Sequence, residues 1–133
     1  MTGRIPVLEA LAAGLTINVL DIACTLRFAA KLWEAELRRQ GLEPRKWTPP
    51  YYIATNFLGG MLLTFVYLQF ARSMGGGGLA ALAASLVLWS GSRIYGGGHV
   101  VMGQMPIRIF AVMSTGLGLG YVAAGQVLQV LLG

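Results

Sequence analysis

The sequence predicts an all-α, integral membrane four-helix bundle, and three observations lead there. Of the 133 residues, 56% are apolar and only 11% are charged, against about 45–50% and about 25% in a soluble domain. That excess is more than one small core can hide, so the surface itself must be apolar. Four apolar stretches, near 5–26, 51–71, 79–95 and 109–132, are each long enough for roughly 30 Å of hydrocarbon, which takes about 17–25 residues. Lysine and arginine gather between these stretches or at their ends, as flanking charges of membrane spans do. The length fits a single domain over residues 1–133.

The first span, Ile5–Leu26, carries Glu9, Asn18 and Asp21. It is too long and too interrupted for a cleaved signal peptide, so a retained helix is expected. A basic amphipathic connection, residues 31–50 (KLWEAELRRQGLEPRKWTPP), follows. Glu34 and Arg38 are four apart on its helical part and support one another. Pro44, Pro49 and Pro50 keep it from running straight into the second span, Tyr51–Ala71. A glycine turn at Ser73–Gly78 leads to the third span, Leu79–Tyr95. Residues 96–106 (GGGHVVMGQMP) are expected to be a flexible, partly apolar connection to the fourth span. Helix is preferred to strand because a lone segment in hydrocarbon must satisfy its own backbone, and no span alternates as a barrel strand does.

Orientation follows from the basic residues. The first and third connections with their helix ends hold Lys31, Arg38, Arg39, Arg45, Lys46, Arg93 and Arg108, with Arg27 less decisive, and the opposite side has only Arg4 and Arg72. This places those connections in the cytoplasm and both termini outside it. Trp33, Trp47, Tyr51, Tyr52 and Tyr95 fit an aromatic belt at the cytoplasmic interface. The formal charge of +5 is accounted for by this asymmetry, and no nucleic-acid partner is expected. The connection 31–50 can lie on anionic lipid or against a partner.

Composition excludes several chemistries. One cysteine, Cys24, permits no internal disulfide or thiolate cluster, and one histidine, His99, permits no bis-histidine haem or His-rich cage. There is no HExxH, Walker A loop, GxSxG elbow or dinucleotide fingerprint. No metal and no cofactor are expected. His99 reads as a loop residue, and Cys24 as a small apolar helix residue without a neighbouring acid–base partner.

Helix association in lipid relies on close packing and polar contacts. Gly116 and Gly120 form a GxxxG spacing followed by Ala123 and Ala124. The third span offers Ala80, Ala84 and Ser85, and the second the pair Gly59–Gly60. These serve either packing within one chain or an oligomer interface. Charged groups in hydrocarbon are costly, so their placement is informative. Gly14, Asn18, Asp21 and Thr25 fall within about 40° of one another on a helix of 100° per residue, with Glu9 and Arg27 on the other side. Asn56, Arg93 and Arg108 bring further polar groups to that depth, and Arg108, Thr115 and Gln126 align on one face. The expected buried polar cluster is therefore Asn18, Asp21, Thr25, Asn56, Arg93 and Arg108, with Asp21 paired to Arg93 or Arg108. It reads as a polar clasp, as a ligand pocket with arginine as the anion anchor, or as a proton or ion path.

Two resemblances follow from these residues. Phe28–Trp33 (FAAKLW) with the basic segment after it, Leu86–Trp89 (LVLW) and Ala123–Gly133 (AAGQVLQVLLG) resemble an uncharacterised family of small bacterial four-helix membrane proteins. That resemblance implies a bacterial inner-membrane location and no particular chemistry. From Asn56 onward the chain is also similar to the membrane-associated proteins in eicosanoid and glutathione metabolism, which are four-helix trimers. Asn56, Arg93 and the Pro106-Ile107-Arg108 run match positions of that family. By that resemblance Asn56, Arg93 and Arg108 would bind glutathione, with the two arginines holding its carboxylates from neighbouring subunits. Gly59 stands where that family has an acidic residue, and the usual Ser/Tyr near Arg108 is missing.

Three functions fit the sequence. The first is a non-catalytic membrane subunit that packs into a homo- or hetero-oligomeric complex. The second is a glutathione-dependent membrane transferase or peroxidase. The third is an oligomeric small-solute transporter or channel. The first is favoured because no complete catalytic set is present.

Overall fold

The computed structural model describes residues 5–43, 49–103 and 105–133. Among these the chain is all-α, with no strand. Helix α1 (Val7–Cys24) passes through a π-helical turn (Thr25–Ala29) into α2 (Ala30–Arg39). Then come α3 (Pro49–Met74), α4 (Gly77–Val101) and α5 (Ile107–Leu132). Four helices, counting Val7–Arg39 as one rod, are long and apolar enough to cross a membrane. Of the residues that carry the sequence-based orientation, Arg4, Arg45, Lys46 and Trp47 lie outside the described residues. So do Pro44 and the side chains of Tyr51, Tyr95 and His99.

Two boundaries differ from the sequence expectation. The first span does not end near Leu26, because no glycine or proline interrupts residues 15–40 and nothing stops the helix. The stop comes at Gly41, whose φ of +76° is readily adopted only without a Cβ. There the Gly41 N–H donates to Arg38 O and the Leu42 N–H to Leu37 O, the paired bonds of a Schellman cap. The third span runs to Val101 instead of ending at Tyr95, so the backbone over 96–101 is helical rather than a loop. Each glycine there costs about 1 kcal/mol relative to alanine, but an unwound turn would free several backbone groups at once. The end comes at Gly103, at φ +73°. The expected glycine turn between α3 and α4 is present, with Gly75 and Gly76 both at positive φ.

The helices close into a ring. Helix α1 packs on α3 and α5, and α4 packs on the same two. What brings the backbones together is the absence of side chains. A Cβ on Gly60 would collide with the Gly14 backbone, and one on Gly14 would lie 2.9 Å from Phe57 Cα. Glycines on facing helices thus meet at the α1–α3 crossing. On α5, a Cβ on Gly116 would come within 2.6 Å of Cys24 Cβ, and one on Gly120 within 3.3 Å of Ile17 Cα. The GxxxG spacing is therefore used inside the chain, against α1. Ala13, Ile17, Leu63, Tyr67, Ala84, Ala124 and Leu128 fill the centre.

The α4–α5 seam repeats one device. Trp89 Nε1 donates to Ser114 O at 2.8 Å, and Ser85 Oγ lies 2.9 Å from Tyr121 O and 2.8 Å from its own Ala81 O. Each α5 carbonyl stands four residues before a glycine, Gly118 and Gly125, and a Cβ at either would crowd the donor side chain. The glycine opens a window onto a carbonyl that already serves the helix, and the donor adds a second bond to it. Ser85→Ala is expected to cost about 0.6 kcal/mol and no more than about 1.7, the range of interhelical bonds in lipid. Reversible unfolding in mixed micelles measures it.

The outside is as apolar as the inside. Leu15, Val19, Leu58, Met61, Phe65, Leu86, Val87, Ile94, Leu119 and Val130 all face outward, with Ile94 80% exposed. Helix α2 carries the polar change. It buries no residue, and Glu36 there accepts hydrogen bonds from Arg39 at 2.6 Å and Gln40 at 2.7 Å.

Candidate functional site: a polar clasp between α1 and α3

Asn18, Asp21 and Asn56 meet where α1 faces the start of α3. Asn18 and Asp21 are three residues apart, so one helical face presents both. Asn56 lies in the second turn of α3, buried and facing α1. Ile53, three residues before it, shares that face.

Asn56 Nδ2 donates to Asn18 Oδ1 at 3.1 Å and to Asp21 Oδ2 at 3.0 Å, and Asn18 Nδ2 reaches Ile53 O at 3.4 Å. A primary amide has two N–H protons, so both of Asn56's are engaged within the chain. Asn18 and Asn56 are buried and Asp21 is half-buried.

Arg93 approaches from α4 but does not pair with the carboxylate. Its Nε donates to Ser92 Oγ at 3.2 Å, its other contact to Ser114 Oγ is long at 3.5 Å, and its guanidinium lies 5.8 Å from the Phe110 ring centroid. The Tyr121 hydroxyl occupies the space that a side chain on Gly59 would need.

Three expectations are corrected. Among the described residues neither Arg93 nor Arg108 comes within 4.0 Å of Asp21, and the amide of Asn56 takes the place of the arginine. Arg108 is exposed, and with Thr115 and Gln126 it forms a face turned outward. Thr25 makes no side-chain hydrogen bond among the described residues. It begins the π turn, and its backbone N–H still donates to Asp21 O. Of the three residues matched to a glutathione site, Asn56 and Arg93 thus have internal partners while Arg108 stands apart. Arg108→Ala is expected to change unfolding stability by no more than about 0.5 kcal/mol in lipid-free protein, as for an unpaired surface residue; thermal unfolding of delipidated protein in detergent checks it.

The sequence did not single out Tyr67. It is 1% exposed, and its hydroxyl has no hydrogen-bond partner among the described residues. It borders an open hollow of about 380 Å³ with Ala71, Arg72 and Leu132. A tyrosine among apolar neighbours reads as core, so no local signal marks it. The described residues hold no group of three His, Cys, Asp or Glu able to hold a metal. No protein-family model matches the chain, and no curated protein or solved structure matches it.

Proposed function

We propose that the chain is a small, non-catalytic integral membrane subunit that packs into a homo- or hetero-oligomeric membrane complex. It crosses a bacterial inner membrane four times with both termini outside the cytoplasm. The observation that carries the reading is the use of Asn56: both its amide protons bind α1 side chains. The polar groups thereby hold helices together instead of converging on an enclosed cavity. The apolar outer faces support the membrane location, and Lys31, Arg38, Arg39, Arg93 and Arg108 support the orientation. Exposed Ser90 and Gly91, side by side on α4 with open space over Gly91, support packing against another helix.

The test is the assembly state of purified protein in lipid nanodiscs and mild detergent, for wild type and Gly91→Leu. A defined oligomer or a stoichiometric membrane partner is expected, weakened by Gly91→Leu while the subunit stays folded. A wild type that is monomeric and partnerless throughout contradicts the reading. So does glutathione raising the unfolding temperature in wild type but not in Arg93→Ala, because a ligand that binds only the folded state stabilises it by mass action. That result supports the glutathione-dependent transferase instead.

A further inference from the structure

An open groove of about 370 Å³ lies between the π turn and α5, with Cys24 and Phe28 on one wall and Ala111, Thr115 and Leu119 on the other. Its one hydroxyl, on Thr115, is turned back to Ala111 O at 2.8 Å, so the lining is in effect apolar. Gly116 forms its floor against Cys24. The groove opens beside the π turn, just past the close contact of Cys24 with Gly116.

By helix register, cations follow the groove lining on both helices. Contacts of Ile17 with Gly120 and of Cys24 with Gly116 make α1 and α5 antiparallel. Moving toward the end of α1 is therefore moving toward the start of α5. In that direction Lys31 follows Phe28 by three residues, and Arg108 precedes Ala111 by three, with Arg27 beside Phe28. All three cations are exposed, and none is in an ion pair among the described residues. Of the acidic residues on α2, Glu36 is taken by Arg39 and Gln40, while Glu34, three residues after Lys31, is in no ion pair among the described residues.

We propose that this groove binds one anionic phospholipid, an acyl chain lying against Phe28 and Leu119 and the phosphate held among Arg27, Lys31 and Arg108. Apolar length below and unpaired positive charge above complement the two halves of such a lipid. The proposal rests on the membrane location but not on assembly with a partner, so the two fail separately.

Native mass spectrometry of the detergent-purified protein tests it, with phosphatidylglycerol and phosphatidylcholine of identical chains offered together. One retained phosphatidylglycerol is expected, preferred by roughly tenfold or more; each cation near an anionic surface contributes roughly fivefold. Lys31→Gln with Arg108→Gln removes the preference. Ala111→Trp fills the groove and loses the retained lipid with the three cations intact, and Arg72→Gln, at the other end of the bundle, changes nothing. Equal retention of the two lipids overturns the proposal, as does a preference that survives Ala111→Trp. Displacement by glycerol phosphate alone also overturns it, since a free phosphate needs no groove. Should the double glutamine variant not fold, Ala111→Trp decides the matter by itself.

Discussion

Gly60→Leu is expected to abolish the native bundle, and Gly60→Ala to destabilise it by about 1–3 kcal/mol, the usual cost of overpacking a well-packed core. The atoms in the way belong to the Gly14 backbone and the Ala10 carbonyl, not to a side chain that can swing aside. Helices α1 and α3 must separate, and the Asn56 hydrogen bonds lengthen with them. Gly98→Ala, on α4, is the matched control. Nothing lies within 4 Å of its added Cβ, so only helix propensity changes, in alanine's favour by about 1 kcal/mol. Equilibrium unfolding of these variants and wild type in one detergent gives the comparison. Equal stability of Gly60→Ala and wild type would rule out the close α1–α3 crossing.

Asn56→Ala is expected to lower stability by about 1–3 kcal/mol, because it strands the Asn18 and Asp21 oxygens without their donor. Asn56→Asp exchanges that donor for a second carboxylate beside Asp21. Two such groups in contact disfavour double ionisation, so this variant is expected to be less stable at pH 8 than at pH 5. Unfolding measured at both pH values checks the sign. A variant that is insensitive to pH would mean that Asp21 and residue 56 are not in contact.

The four long helices were legible because their apolar length is a property of composition, independent of partners. Asn18, Asp21 and Asn56 were legible as polar residues at one depth, since charge and amide groups in apolar spans stand out. Their pairing was not. An arginine is the obvious counter-charge for Asp21, and only the packing of Gly14 against α3 decides that Asn56 arrives first. The GxxxG spacing left open whether Gly116 and Gly120 served this chain or another, because a small residue marks close approach without naming the partner. The π turn has no sequence signature in Thr25–Ala29, yet Phe28 within it lines the groove. The glycines at 96–98 misled for a physical reason: glycine weakens a helix, but several lost backbone bonds outweigh that weakness.

The most direct test of the clasp is a double-mutant cycle on Asn56→Ala and Asp21→Ala, read by reversible unfolding in detergent or bicelles. The expected coupling lies between about 0.5 and 1.7 kcal/mol, within the range for interhelical hydrogen bonds in a membrane. Additivity to within about 0.3 kcal/mol would contradict the clasp, since two residues joined by a 3.0 Å hydrogen bond do not act independently.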